Sequence, residues 1–405
     1  MKILVINTGS SSIKYQLFEM SEKKTLASGL AERIGEDEGV LTHKVTLPHG
    51  NTRKKVVRGV IADHREGLAR IVGLLVDPEY GAVKDKSEIS AVGHRVVHGG
   101  ETFQASTVIN EAVIAEIRKY IPLAPLHNPP NLVGIEVARS IFPGAPQVAV
   151  FDTAFHQTIP RRAYLYALPY GLYKKSGVRR YGFHGTSHAY VSETAAVYLG
   201  RALDELNLIT IHLGNGASMA ALKNGKCVDT SMGMTPLEGL VMGTRTGDVD
   251  PALPFFLANH LKMSLDDIDT LMNKDSGLKG ICGTNDMREV LARIRSGDRM
   301  AEIALDIYTY RIRKYIGAYT AVLEEVDALV FTGGIGENAP VVRERCCQGL
   351  GRLGVDVDDD RNQAPGDGIR LISRTGSRVR VLVVPTDEEL KIAQETEKVI
   401  PNASC

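Results

Sequence analysis

The feature that most constrains the fold is a pattern that occurs twice. Near the N-terminus an apolar run, Ile3-Leu4-Val5-Ile6, leads into a polar small-residue turn, Asn7-Thr8-Gly9-Ser10-Ser11-Ser12, and then an alternating segment, Ile13-Lys14-Tyr15-Gln16-Leu17-Phe18. From residue 208 the pattern recurs as Leu208-Ile209-Thr210-Ile211, His212-Leu213-Gly214-Asn215-Gly216-Ala217-Ser218 and Met219-Ala220-Ala221-Leu222. Each copy reads as strand, Gly-containing turn, strand. Copies so far apart do not make a solenoid. They fit a duplicated domain, with chance similarity of two hairpins as the alternative. A chain of 405 residues has room for two or three domains with substantial cores.

Further strands are expected at 91–97, 147–151, 328–331 and 379–384, with 3.6-period apolar patterns at 188–201, 264–273, 286–296 and 299–325. Strands alternating with helices indicate an α/β fold. No low-complexity linker divides the chain, so the boundary is a tight junction placed just after Phe151. Asp387 to Lys398 reads as a C-terminal helix that packs back on one half.

Composition narrows the function. Lys and Arg total 48 and Asp and Glu total 48, so the net charge is zero and the global basic field of a nucleic-acid or membrane-surface binder is missing. The 5 Cys contain no C-x-x-C pair, which argues against a disulfide framework or a zinc ribbon. The first apolar run, Ile3 to Ile6, is too short for a signal-peptide core, and no uncharged apolar stretch approaches the ~20 residues of a membrane span. A cytoplasmic protein with no membrane or nucleic-acid partner is expected.

Several segments carry chemistry. No G-x-x-x-x-G-K-[ST] is present, so a P-loop is excluded. Phe331-Thr332-Gly333-Gly334-Ile335-Gly336-Glu337-Asn338-Ala339 follows a strand and contains G-x-G-x-x-A, which suits a dinucleotide site, an adenosine or phosphate approach, or a plain tight turn. The two hairpin turns leave backbone N–H groups uncovered and can cradle phosphate, or be ordinary hairpins. Asn7 can offer an oxygen to Mg²⁺. Arg95 lies in an apolar strand and Arg245 between glycines in Gly243-Thr244-Arg245-Thr246-Gly247-Asp248. Each guanidinium fits an anionic substrate or a structural salt bridge. His184 and His188 have the i,i+4 spacing of a metal pair but lack the Glu of H-E-x-x-H, so a neutral or cationic His donating to developing charge is preferred. Asp152 stands at the C-terminal end of a strand, where α/β proteins gather reactive groups, or is a cap.

Taken together these segments resemble the acetate kinase (acetokinase) family, within the superfamily of acetate and sugar kinases, heat-shock chaperones and actin. The resemblance runs from Asn7-Thr8-Gly9-Ser10-Ser11-Ser12-Ile13-Lys14 to Pro385-Thr386-Asp387-Glu388-Glu389-Leu390. It includes Arg179 to His188, His212-Leu213-Gly214-Asn215-Gly216, Gly243 to Asp248 and Gly333-Gly334-Ile335-Gly336-Glu337-Asn338. It implies a duplicated ribonuclease-H-like (actin-like ATPase) α/β fold, with domains at 1–152, completed by the helix at 387–400, and at 153–386, and an interdomain active-site cleft. It implies reversible, direct in-line phosphoryl transfer from ATP to acetate, giving acetyl phosphate and ADP, in a homodimer.

By the same resemblance, Asn7 and Glu388 bind Mg²⁺, for which Mn²⁺ substitutes, and Lys14 lies near the nucleotide phosphates. Arg95 holds the carboxylate, Asp152 is the catalytic acidic residue, and His184 and Arg245 stabilise the transition state. His212, Leu213, Gly214, Asn215 and Gly216 accompany the phosphates, while Asp286, Met287 and Arg288 with Gly334, Ile335, Gly336, Glu337 and Asn338 line the adenosine side. Val97, Leu126, Phe183 and Pro236 form the apolar pocket for the methyl group. Thr284-Asn285 departs from the two small hydroxyl residues frequent in the family, which bears on nucleotide preference. A propionate or butyrate kinase is the near alternative and a nicotinamide dehydrogenase the remote one. A carboxylate is already nucleophilic, so Asp152 is expected to position groups rather than take a proton.

Overall fold

Why the first strand is apolar from Ile3 to Ile6 follows from what covers it. In a computed structural model that describes residues 1–47, 50–125 and 127–400, β1 (Lys2–Thr8) buries Ile3, Leu4, Val5 and Ile6 completely. Leu4 and Ile6 join Leu68, Ile71, Val137 and Ala138 in a core beneath helices His64–Leu75 and Asn128–Ile141. Ile3 and Val5 face the other way and join Val148, Ile392 and Ala393 under helix Glu388–Val399. Successive strand residues point to opposite faces, so a strand covered on both must be apolar throughout.

β2 (Ser12–Glu19) returns antiparallel to β1 with Asn7 opposite Lys14, and β3 (Lys24–Glu32), β4 (Gly39–Thr46) and β5 (Thr52–Gly59) continue outward as an antiparallel meander. On the other side of β1 runs β6 (Ile89–Val96), parallel to it; β7 (Thr107–Val108) pairs antiparallel with β8 (Gln147–Phe151), which is parallel to β6. The order is β5-β4-β3-β2-β1-β6-β8-β7. The second sheet contains β9 (Leu208–Leu213), β10 (Ala217–Lys223), β11 (Lys226–Thr230), β12 (Ala328–Thr332), β13 (Arg370–Leu371) and β14 (Arg380–Val383) in the order β11-β10-β9-β12-β14-β13.

The two sheets repeat one plan. β3-β2-β1-β6-β8-β7 and β11-β10-β9-β12-β14-β13 have two antiparallel pairs, two parallel pairs and an antiparallel edge in the same places. The recurring hairpins are therefore the centre of one sheet built twice, and chance similarity is excluded. This is the expected α/β, duplicated ribonuclease-H-like (actin-like ATPase) fold. The chain divides into two compact units, Met1–Phe155 together with the segment from Asp387, and His156–Thr386.

Two local expectations change. The Gly-rich segment after β12 is a short helix, Gly333–Asn338, rather than an open turn. The pattern at 188–201 belongs to a helix that already begins at Gly185 and ends at Leu199. Gly93 in β6 serves packing: a Cβ there would lie 2.4 Å from Thr396 Oγ1 on the covering helix. Among the described residues, no helix is long and apolar enough to cross a membrane.

Candidate active site

In the second unit the turn between β9 and β10 is closed by the Gly214 N–H donating to Gly216 O at 2.9 Å. Three cationic or hydrogen-bonding side chains stand around it. A Cβ on Gly216 would lie 3.4 Å from His184 Nε2 and 3.6 Å from Arg245 Nη1, and one on Gly214 would lie 3.6 Å from His212 Nε2. Only a bare backbone lets all three approach one small surface. The rings of His184 and His212 stack at 4.4 Å.

Each of these groups is held from behind. His184 immediately precedes helix Gly185–Leu199 and has φ 55°, a left-handed conformation uncommon for a residue with a Cβ and typical of functional positions. Its Nδ1 lies 2.8 Å from Ser218 Oγ, and His188 Nε2 lies 2.8 Å from the same oxygen. The i,i+4 histidines thus converge on a hydroxyl. His212 Nδ1 lies 2.8 Å from Ser187 Oγ, which is 2.9 Å from Thr386 Oγ1.

Arg245 Nη1 donates to Pro236 O at 3.1 Å, but among the described residues no carboxylate pairs with this guanidinium. Burial pushes its pKa down, since nothing nearby compensates the charge. A half-buried, uncompensated guanidinium beside a bare-backbone turn is chemically equipped to receive an anion. Its loop is anchored by the Gly243 N–H, which donates to Asn215 O at 2.9 Å. Asn285, the departure from the resemblance, donates from Nδ2 to Asn215 Oδ1 at 2.9 Å and so tethers the same turn.

The expected adenosine-side residues are occupied structurally. Asp286 caps helix Met287–Arg295, accepting from the Arg288 N–H, and pairs with the Arg288 side chain at 2.6 Å, which holds its carboxyl near about 2. Leu213 and Met287 are buried in packing, so they offer only backbone. Glu337 Oε1 accepts from the N–H groups of Gly333 at 3.0 Å and Thr386 at 3.2 Å, fixing the short helix, while Asn338 Nδ2 donates to Gly334 O. The other end is bound by Arg343, a buried residue missed in the sequence, which donates to Gly336 O at 2.8 Å and Glu337 O at 2.9 Å. Within Arg343-Glu344-Arg345 it reads as one more solvated charge, so the sequence holds no signal for it. Ile335 is half-buried in the same helix.

In the first unit, Arg95 near the end of β6 and Asp152 immediately after β8 meet because the strands are adjacent and parallel. Arg95 Nη2 donates to Asp152 Oδ2 at 2.5 Å, and the Asp152 N–H donates to Val96 O at 3.0 Å. Burial opposes the charge of Arg95, but Asp152 and Glu388 outweigh it and raise its pKa. Its Nε has no hydrogen-bond partner among the described residues. Lys14 Nζ pairs with Glu389 Oε1 at 2.6 Å.

Asn7 is the penultimate residue of β1, and Glu388 opens the C-terminal helix that packs against β1, β6 and β8. Burial, with Asp152 and Glu389 adding like charge, pushes Glu388 up to about 7 despite Arg95. A half-buried carboxylate crowded by carboxylates, on the helix that packs on the strand carrying Asn7, offers hard oxygen of the kind Mg²⁺ takes. Among the described residues no three His, Cys, Asp or Glu side chains form a cage, so such an ion would keep water or phosphate ligands.

Val97 is buried, and its N–H donates to Asn131 Oδ1 at 3.1 Å; Asn131 Nδ2 donates to Thr8 O at 2.8 Å. Asn128 holds the backbone of His98 in both directions at 3.1 Å. These amides were also missed, although two Asn flanking Pro129-Pro130 at a helix start are a readable signal. Phe183 is buried with its carbonyl 2.9 Å from His156 Nε2, and Pro236 is half-buried in the same unit. Leu126 lies outside the described residues.

Comparison with known proteins gives a concordant result. A family model described as the acetokinase family matches residues 2–394. The chain is 57% identical over 400 residues to an acetate kinase of Nitratidesulfovibrio vulgaris (strain Miyazaki F), covering 99% of both chains, and 54% identical over 403 residues to one from Thermotoga petrophila, again over 99% of both. Among solved structures it is similar to Porphyromonas gingivalis acetate kinase, with TM-score 0.93 and 48% identity over 99% of this chain and 100% of that one. It is also similar to a propionate kinase from Francisella tularensis, with TM-score 0.92 and 43% identity over 98% and 100%.

Proposed function

The chain belongs to the acetokinase family, and on that premise we propose that it phosphorylates acetate with ATP, reversibly, by direct in-line transfer. An acetate oxygen attacks the γ-phosphorus, the bond to the β,γ-bridging oxygen breaks, and acetyl phosphate and ADP leave; no proton moves. The observation that carries this reading is Arg245, uncompensated and half-buried, beside His184 and the Gly216 turn. Phosphoryl transfer between two oxyanions is limited by positioning and charge neutralisation, which is what these groups supply.

Arg95 is the group that receives the carboxylate, held by Asp152 rather than relieved of a proton by it. Val97, Leu126, Phe183 and Pro236 are assigned to the methyl pocket. Lys14, His212 and the Leu213–Gly216 turn are assigned to the phosphates. Asp286 to Arg288 and Gly334 to Asn338 are assigned to adenosine. Asn7 and Glu388 would hold Mg²⁺, with Mn²⁺ as a substitute, and the bound ion would neutralise phosphate charge. A cytoplasmic homodimer completes the proposal. Exposed Phe255, Phe256 and Leu265, on two mutually contacting helices of the second unit, support self-association, since exposed apolar surface favours an interface.

Trapping acyl phosphate as hydroxamate tests the reading. With Mg-ATP, kcat/KM is expected to rank acetate above propionate and butyrate. The rank must be measured, because one methylene changes discrimination by only ~1–3 kcal/mol. No hydroxamate from any of the three acids would overturn it.

A further inference from the structure

Behind His184 lies a row of hydrogen-bonding groups whose direction can be worked out. Thr210 Oγ1 in β9 is 2.7 Å from His188 Nδ1; His188 Nε2 is 2.8 Å from Ser218 Oγ in β10; and Ser218 Oγ is 2.8 Å from His184 Nδ1. Thr210, His188 and Ser218 are all fully buried. β9 and β10 are paired with Ser218 opposite His212 and Ala220 opposite Thr210, so the row follows the hairpin outward to the turn.

The end of the row sets its sense. Among the described residues His188 Nδ1 is the single partner of the Thr210 hydroxyl. A buried O–H with one partner spends its hydrogen there, because an orphaned buried donor is costly. Thr210 therefore donates to His188 Nδ1, which must be bare. Burial and the neighbouring histidines push the pKa of His188 well down, so the ring is neutral and its one proton is on Nε2. That N–H donates to Ser218 Oγ, and the Ser218 hydroxyl, with its single hydrogen, donates to His184 Nδ1. The reverse sense would leave the Thr210 hydrogen without an acceptor.

We propose that Thr210, His188 and Ser218 are positioning residues, a one-way relay that holds His184 as the neutral tautomer with its proton on Nε2, the nitrogen turned toward the Gly216 turn. An imidazolium at His184 would have to donate from Nδ1 into Ser218 Oγ, leaving the buried Ser218 hydrogen without an acceptor among the described residues. His184 thus acts as an uncharged donor to the transferring phosphoryl oxygens, and Arg245 supplies the charge there. The catalytic half of this inference rests on the acyl-phosphate reading; the tautomer does not.

The test uses the full-length, ligand-free protein labelled with ¹⁵N-histidine, with His184 and His188 signals assigned by difference from His184→Gln and His188→Gln. Long-range proton–nitrogen correlations at pH 7 are expected to show both rings protonated on Nε2 and bare at Nδ1. A protonated Nδ1 on His184 overturns the relay. Thr210→Val, nearly isosteric, is expected to lose the single tautomer and to lower kcat by about tenfold or more with both KM values within about twofold; Thr210→Ser restores both. Wild-type tautomers and kcat in Thr210→Val, in a protein whose circular dichroism shows it folded, also overturn it. Failure of the wild-type protein to form acyl phosphate would count against the kinase reading and leave the tautomer result standing.

Discussion

Arg95 and Asp152 form an ion pair of 2.5 Å in which the carboxylate is fully buried and the guanidinium retains 19% exposure. One side of the arginine is compensated and the other remains available to an anion. Removing either partner alone leaves a buried charge and is expected to cost about 3–5 kcal/mol. In a double-mutant cycle with Arg95→Met and Asp152→Leu, urea unfolding should give a coupling of at least ~1.5 kcal/mol, the double variant being less destabilised than the sum of the singles. Additive losses would mean that the pair is not a unit.

Arg245 should behave in the opposite way. No carboxylate partner offsets its burial, so its charge is a liability to the folded protein without ligand. Arg245→Met is expected to lower kcat by about 10²-fold, in the range of lost transition-state donors. The same substitution should leave the urea midpoint equal to or above that of the wild type. Near-normal turnover at saturating substrates would remove Arg245 from the phosphoryl site.

The contrast shows what a sequence can carry. The hairpins were legible because β1 and β9 are buried along most of their length and so are mainly apolar, with Ile3 to Ile6 in one and Leu208, Ile209, Ile211 and Leu213 in the other. β5 was not, because Arg53, Lys54, Lys55 and Arg58 make this edge strand look like a loop, and charge on an edge strand is how a sheet discourages further pairing. His184, Arg245 and Asp152 stood out as reactive groups among small residues. Thr210, Ser187 and Ser218 did not, since a hydroxyl in a strand or helix acquires a role only from the ring brought against it by folding. Gly93 likewise gave no signal of its role, which is close packing against the covering helix.

That glycine makes a direct prediction. A methyl group at position 93 would meet Thr396 Oγ1 at 2.4 Å and Ile392 Cγ2 at 2.9 Å. Gly93→Ala should therefore destabilise the first unit by about 1–3 kcal/mol through overpacking. Gly93→Ala combined with Thr396→Ala should recover part of that loss. Saturated kcat should stay within about twofold in the folded fraction. A Gly93→Ala variant of wild-type stability but poor acetate KM would assign the residue to ligand approach instead.

Acid sensitivity follows from His94. The ring is buried in β6 with Nε2 2.8 Å from Gln147 Oε1, and burial lowers its pKa from 6.5 to about 4. The unfolded chain takes up the proton first, so between pH 6.5 and 4 it binds more protons than the folded one. Stability from this group is present above pH 6.5 and is lost as the pH falls toward 4. From pH 7 to pH 5 the loss amounts to about 2 kcal/mol. His188, whose pKa burial also pushes down, adds in the same direction. Urea unfolding at the two pH values should show this decline in the wild type, and His94→Gln, which cannot titrate, should decline by about 2 kcal/mol less. Equal declines in the two proteins would place the acid-sensitive proton elsewhere.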